Sequence, residues 1–228
     1  SFLEEIDMFD NEFFGIFLSE ALSMDPQQRL ILEEVYNSFH DAQYEKSNLL
    51  GADIGVFIGC CNNDFAKIKK ERLGPYSATG ASQSVIANRI SYSFGLKGPS
   101  VTIDTACSSS LVAVDLAVRA LRNGTISAAA VGGVNLMLIP ETYIAICQGQ
   151  MLAPDGRCKT FDNGADGYVR GEGCVSLILE SLSTAKERGH NIHGILCGSH
   201  VNQDGRSARL TAPNGPSQRE CIATALQD

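Results

Sequence analysis

The chain has 228 residues, 44% of them apolar, which is enough for one sizeable domain with a real core. Lys and Arg number 18 against 26 Asp and Glu, a net charge of −8 at pH 7. That argues against a nucleic-acid or membrane surface, because both require clustered positive charge. An acidic carrier protein would need only a local basic patch, which the total still allows.

The first firm element begins at Asp25. In "DPQQRLILEEVYNSFHDA", Asp25 suits the N-cap, Pro26 the first helical position and Gln28 the third. Leu30, Ile31, Val35 and Phe39 then share one stripe of an amphipathic helix. "DIGVFIGC" is a short buried strand. "SATGASQSVIANRISYSFGL" predicts a helix from about Ser82 to Phe94, ending near Gly95. "GPSVTIDTA" is a strand and "SSSLVAVDLAVRALRNG" a helix that stops at Asn123–Gly124, residues tolerant of the left-handed conformation. "SAAAVGGVNLM", "GCVSLILESL" and "HGILCGSHVN" are three further strands, and "GPSQRECIATALQD" is a final helix. The turn-rich stretch from Ile139 to Asp166 reads as surface loop, of a length that is often functional. Near-continuously apolar strands alternating with helices indicate an α/β fold with a mostly parallel sheet covered on both faces.

No apolar run approaches the length of a membrane span. The start, SFLEEIDMFD, lacks the basic and apolar regions of a secretory signal, and the missing initiator Met points to a processed chain or a fragment. The eight cysteines include no C-x-x-C pair, so neither a metal nor a redox motif is indicated. Scattered cysteines of this kind fit a reducing, cytoplasmic compartment and serve mostly as small buried apolar residues.

Cys107 is the exception, because it falls where strand turns into helix in "VTIDTACSSSLVAVDL". A helix N-terminus there aims free N–H groups and the positive end of its dipole at the sulfur, which favours the nucleophilic thiolate. Ser108, Ser109 and Ser110 are small enough to admit a substrate, and the Cys107 N–H is placed to bind a developing oxyanion. Taken alone, the pattern favours a structural cysteine over a catalytic one. The base is the difficulty. His40 ends a helix, where a cation suits the dipole. His190 and His193 flank a turn and read as solvated. His200 ends a predicted strand. None of the four sits in a setting built for catalysis.

Six segments nevertheless stand in a recognisable order: "MDPQQRL", "GVFIGCCNNDFA", "SATGASQSVIANRISYSFGLKGPSVTIDTACSSSL", "GGVNLMLIPETY", "LAPDGRCKTFDNGADGYVRGEG" and "VNQDGRSARLTAPNGPSQRE". Together they resemble β-ketoacyl synthases, specifically the ketosynthase domains of type I polyketide synthases. The resemblance implies a thiolase-like fold of α-β-α-β-α layers, here incomplete, with the N-terminal half to about residue 182 and the start of the C-terminal half from about 190 to 228. It implies an acyltransferase. Cys107 takes an acyl chain from a phosphopantetheine thioester, and decarboxylation of a malonyl-type carrier thioester then drives a Claisen condensation. No bound cofactor is implied, since substrates ride on the phosphopantetheine of an acyl carrier protein. The implied partners are that carrier domain, an adjacent acyltransferase domain and a second copy in a homodimer, with the strand before the nucleophile near the twofold axis; neither nucleic acid nor membrane is implied.

The same resemblance gives Thr211, in "LTAPNG", two readings: it lines the approach of the phosphopantetheine arm or substrate, or it belongs to a plain turn. Arg157, Lys159 and Arg170 form either a local positive patch or, preferably, part of a structural loop network. Leu136–Met137–Leu138 reads as core before interface or pocket wall.

The family completes its site with one histidine in an H-G-T-G-T segment, another in an N-x-G-H segment, and a lysine; neither segment occurs here. The chain is therefore expected to be an N-terminal piece that is unstable or aggregates alone and does not decarboxylate malonyl thioesters. The alternatives are a non-catalytic thiolase-fold interaction fragment and a fatty-acid-type condensing enzyme.

Overall fold

The computed structural model of the chain describes residues 1–68 and 73–228. Four strands make one sheet: β1 (Ile54–Gly59), β2 (Ser100–Ile103), β3 (Ala128–Asn135) and β4 (Gly173–Glu180), in the order β2-β1-β3-β4. β1 runs parallel to both β2 and β3, while β4 is antiparallel to β3. The sheet is thus parallel at its centre, as expected, with an antiparallel edge. The helices before the site are α1 (Leu18–Ala21), α2 (Pro26–Asp41), α3 (Lys46–Leu49), α4 (Asp64–Lys67), α5 (Ser77–Ala81) and α6 (Ser84–Phe94). α7 (Ser109–Arg122), α8 (Pro140–Gln148), α9 (Leu182–Arg188) and α10 (Gly215–Gln227) follow. Among the described residues, no helix is long and apolar enough to cross a membrane.

α2 starts where its sequence says it should. Asp25 caps it by accepting from the Gln27 N–H at 2.8 Å, and Pro26 fills the first turn. Gln28 does not close a capping box. Its amide instead crosses to the Thr79 and Gly80 carbonyls at 3.0 and 3.1 Å, and its Oε1 accepts from Arg89 Nε at 2.9 Å. The helix predicted from about Ser82 to Phe94 is α6, and the carbonyls that Gln28 holds belong to α5, a further short helix ahead of it. Gly80 is required within α5, because a Cβ there would collide with the Ser23 carbonyl oxygen. α6 ends as its glycine predicts, with Gly95 left-handed at φ 69.

The core follows strand alternation. Ile54, Val56 and Ile58 of β1, with Ala128 and Ala130 of β3, face α2 and α6 through Ile31, Leu32, Val35, Phe39, Ile86 and Ile90. Phe57, Ala129 and Val131 point the other way, onto Ala113 and Ala117 of α7. On β4 only Leu179 packs against that cluster, and Val175 and Leu177 remain 63% and 52% exposed. The expectation of helices over both faces holds over β1 and β3 and fails over β4.

Two readings from sequence need correcting. "HGILCGSHVN" is not a strand. It runs irregularly past α7 and α10, held by side chains: Ser199 Oγ donates to Asp115 Oδ1 at 2.9 Å, and the Ser199 N–H donates to Asp228 Oδ2 at 3.1 Å. A strand exists only where a neighbour pairs its backbone, and no described strand lies beside this one. No residue after Ala185 is fully buried. The span from Ile139 to Asp166 is not all loop either, since Pro140 opens α8. Its apolar residues are half-exposed, so they show no clear helical stripe.

α7 seats directly on two glycines. A Cβ on Gly59 would meet Ser110 N at 2.5 Å and Ser109 C at 2.6 Å, and one on Gly133 would meet Ser110 Cβ at 2.8 Å. Gly59→Ala is therefore expected to cost about 1–3 kcal/mol by overpacking. Gly124→Ala, at φ 67 but with open space around it, should cost roughly 1 kcal/mol of left-handed backbone strain. Urea midpoints of the two variants check the order.

Candidate active site

β2 ends at Ile103 and α7 begins at Ser109, so the thiol sits in the five-residue turn between them. The turn ties itself with its own side chains. Asp104 Oδ1 accepts from the Ala106 N–H at 3.0 Å. Ser109 Oγ accepts from the Thr105 N–H at 2.9 Å and donates to the Ala106 carbonyl at 2.6 Å. Thr105 and Ser108 hydroxyls pair at 2.9 Å. Held this way, Ala106 adopts φ 56, a conformation an alanine takes only under constraint. The strained residue thus directly precedes the candidate nucleophile. Cys107 itself is exposed, and among the described residues its N–H donates no hydrogen bond. Thiol and free N–H both stand at the approach to the N-terminus of α7.

They open onto a cavity of about 1080 Å³. Its floor is the first turns of α7 and the glycines at the ends of β1 and β3. Cys61 and Asn62 line one side, Thr142 and Ile146 of α8 another, and residues 168–173 with Val175 and Leu177 a third. A polar network behind the wall sets its shape. Gln27 Oε1 accepts from the Leu136 N–H at 3.1 Å, and Gln27 Nε2 donates to the Asn62 carbonyl at 2.9 Å. Asn62 Nδ2 donates to the Leu136 carbonyl. The fully buried Asp64 accepts from the Leu138 N–H at 3.2 Å and from Thr142 Oγ1 at 2.8 Å. Leu136 is buried, in keeping with its reading as core. Sequence reasoning did not find this network. The only signal was a polar run, Asn62–Asn63–Asp64, directly after a buried strand.

Among the described residues, no histidine lines the cavity. His190 is not solvated as expected. The left-handed Gly189, at φ 70, folds it back so that its Nδ1 lies 2.6 Å from Glu180 Oε1. Tyr44 donates to Glu180 Oε2 at 3.0 Å, and burial, then the Glu180 charge, pushes its hydroxyl pKa up to about 12. This cluster borders a surface groove of about 1170 Å³ at the C-terminus of α2. The groove is slightly larger than the Cys107 cavity but holds no nucleophilic thiol. His193 Nε2 lies 2.5 Å from Asp41 Oδ2 in solvent, His40 is exposed on α2, and the His200 carbonyl accepts from Cys221 Sγ at 3.5 Å.

The remaining candidates separate. Thr211 is exposed in a turn braced by Asp204 and Asn214 and does not line the cavity. Lys159 bridges Asp155 at 3.1 Å and Asp166 at 2.7 Å, so it serves the loop. Arg157 is exposed, whereas Arg170 is half-buried and lines the cavity. The adjacent cysteines split as alternation requires. Cys60 turns into the core, where burial, then Asp25, raises its pKa to about 12; Cys61 turns toward the cavity, raised by burial and then Asp104.

The strand–cysteine–helix corner on a central parallel sheet, with a cavity over its strand ends, defines a thiolase-like α/β fold with a candidate thiol nucleophile. Residues 1–185 match the sequence profile of the family described as "Beta-ketoacyl synthase, N-terminal domain". The chain is 48% identical over 230 residues to the pikromycin polyketide synthase component PikAII of Streptomyces venezuelae, covering 100% of this chain and 6% of that protein. It is 47% identical over 218 residues to the polyketide synthase PksL of Bacillus subtilis, covering 96% of this chain and 5% of that one. Among solved structures, the ketosynthase from module 6 of the bacillaene synthase of Bacillus subtilis superposes with a TM-score of 0.88 at 45% identity, covering 96% of this chain and 38% of that one. A variant of the same ketosynthase superposes at 0.91 with 44% identity, covering 99% and 38%. The chain belongs to the β-ketoacyl synthase family, in its N-terminal domain, and it spans only a small part of the length of its curated relatives.

Burial orders the thiols. With iodoacetamide at pH 8, Cys107 and Cys61 are expected to alkylate, Cys61 more slowly, while Cys60 and Cys174 stay unmodified in the folded chain. Burial holds both of the latter near 12, so their labelling should rise only in strong alkali. Peptide mass mapping across pH checks this.

Proposed function

We propose that the chain supplies the acyl-accepting half of a ketosynthase active site in polyketide biosynthesis, with Cys107 as nucleophile. The observation that carries this is the exposed thiol, next to an unused N–H, at the entrance to an apolar cavity ahead of α7. The Cys107 thiolate attacks the carbonyl of a phosphopantetheine thioester carried by an acyl carrier protein. The carbonyl oxygen gains charge and is received by the Cys107 N–H. A new carbon–sulfur bond forms to Cys107, the carrier thiolate leaves, and it takes up a proton. In the second half-reaction a malonyl-type thioester loses carbon dioxide. The resulting carbanion attacks the acyl-cysteine carbonyl and expels the Cys107 thiolate, leaving a β-ketoacyl carrier thioester. The histidines that the family uses for that step have no counterpart lining the described cavity, so they are assigned to polypeptide other than residues 1–228.

Polyketide rather than fatty-acid chemistry is supported by the similarity to polyketide synthases and to the ketosynthase of the bacillaene synthase. Thr211 is kept as a residue of the approaching phosphopantetheine arm. The match over residues 1–185, and a sheet whose last strand ends at Glu180, support a first half to about 182 and a second beginning near 190. β2 lies at the sheet edge beside the nucleophile turn, and Val101 there is 40% exposed. That supports a homodimer paired through this strand, in which a second copy satisfies the free edge. An adjacent acyltransferase domain and a cytoplasmic setting follow from the same reading.

Intact-protein mass after incubation with an acyl thioester of N-acetylcysteamine tests the first step. One acyl increment is expected on the wild type and none on Cys107→Ala. No increment on either, or an equal one on both, overturns the assignment of Cys107.

A further inference from the structure

The loop returning from α8 to β4 carries three cations, and they differ in what they face. Lys159 is satisfied by Asp155 and Asp166, and Arg157 is exposed to solvent. Arg170 is half-buried, with its guanidinium 5.7 Å from the centre of the Tyr143 ring. Its Nη1 is shut off from solvent without a hydrogen bond, and among the described residues Arg170 makes no ion pair. The acid nearest in sequence is already engaged, since Glu172 accepts from the Leu3 and Met137 N–H groups, both at 2.8 Å. The backbone either side of Arg170 is fixed. The Tyr168 N–H donates to Met151 O at 3.1 Å, and Asn135 Nδ2 donates to Gly171 O at 2.8 Å. Arg170 lines the same cavity as Cys107, among Val131, Val134, Ile146 and Val175. Arg170 keeps accessible surface apart from Nη1 and lines the cavity, and a half-desolvated guanidinium that no carboxylate neutralises is complementary there to an oxyanion and binds one more strongly than it would in water.

We propose that Arg170 is the anion-binding residue of the Cys107 cavity and holds the carboxylate or phosphate of a thioester substrate beside the thiol. The assignment rests on the ketosynthase reading of that cavity. The two anion sources separate with thioether ligands, which bind but cannot acylate.

The test is protection of Cys107 from iodoacetamide in the 228-residue chain, read by peptide mass. The ligands are S-carboxyethyl-N-acetylcysteamine, S-methyl phosphopantetheine and the neutral S-ethyl-N-acetylcysteamine. In the wild type, at least one anionic ligand should half-protect at a concentration about tenfold or more below the neutral one, and the one that gains names the source. Arg170→Gln should erase the gain, and Arg170→Lys should restore part of it. Protection by the neutral ligand should be unchanged in all three, which also shows that the variants fold. Added sulfate should compete with the anionic ligand in the wild type and not with the neutral one, a readout that needs no variant. Equal protection by anionic and neutral ligands, retention of the gain in Arg170→Gln, or absence of sulfate competition overturns the proposal. Acylation of Cys107 by a neutral acyl thioester is unaffected by any of these results, so failure here is distinct from failure of the ketosynthase reading.

Discussion

Everything around the thiol hangs on a few buried side-chain amides and carboxylates. Gln27 is the second residue of α2, yet its amide joins the chain after β1, at Asn62, to the chain after β3, at Leu136. Asp64 continues the chain of bonds to Leu138 and to Thr142 on α8. In low dielectric each such bond is strong once made, and each group is costly if left alone. Two parallel strands that diverge into separate loops are thereby kept together at their carboxyl ends, and in open α/β sheets that is where ligands bind. The cavity wall is a consequence of this network rather than of the loops that line it.

The second constraint is steric. α7 approaches β1 and β3 more closely than any side chain on Gly59 or Gly133 would allow. Close packing fixes the helix against the sheet, and the helix fixes Ser109. Ser109 Oγ then holds the Thr105 N–H and the Ala106 carbonyl, which leaves Cys107 at the corner with its N–H free. The thiol is thus placed by sheet, helix and one buried serine together, three rigid parts, with no reliance on the long loop opposite. The loop between α8 and β4 supplies one side of the cavity with residues 168–172, Arg170 among them, while other charges in it, such as Lys159, keep it folded on itself.

Local signals made much of this legible in the sequence. The Asp25–Pro26 start of α2, the Gly95 stop of α6, the four strands and the Cys107 corner all carry signatures within a few residues. What escaped depends on contacts distant along the chain. Gln28 looked like a capping residue because its partners near Gly80 and Arg89 lie more than fifty positions away. His190 looked solvated because only the turn at Gly189 brings it to Glu180 and Tyr44. "HGILCGSHVN" has the composition of a strand, but composition supplies no partner, and an unpaired strand is not a stable structure. The network of Asn62 and Asp64 carried no spacing that marks it, since its geometry comes from two strand ends meeting in space.

Ala106 has a further consequence. A glycine at that position would reach φ 56 without penalty, and the corner would be free to relax in several directions. An alanine makes the same turn only while the Asp104 and Ser109 bonds hold it there, so the strained conformation and its restraints stand or fall together. The backbone of the corner is therefore set once, when the chain folds, and a substrate meets a nucleophile whose Cα–Cβ bond already has a fixed direction, so that part of the ordering cost is not incurred again each time a substrate arrives.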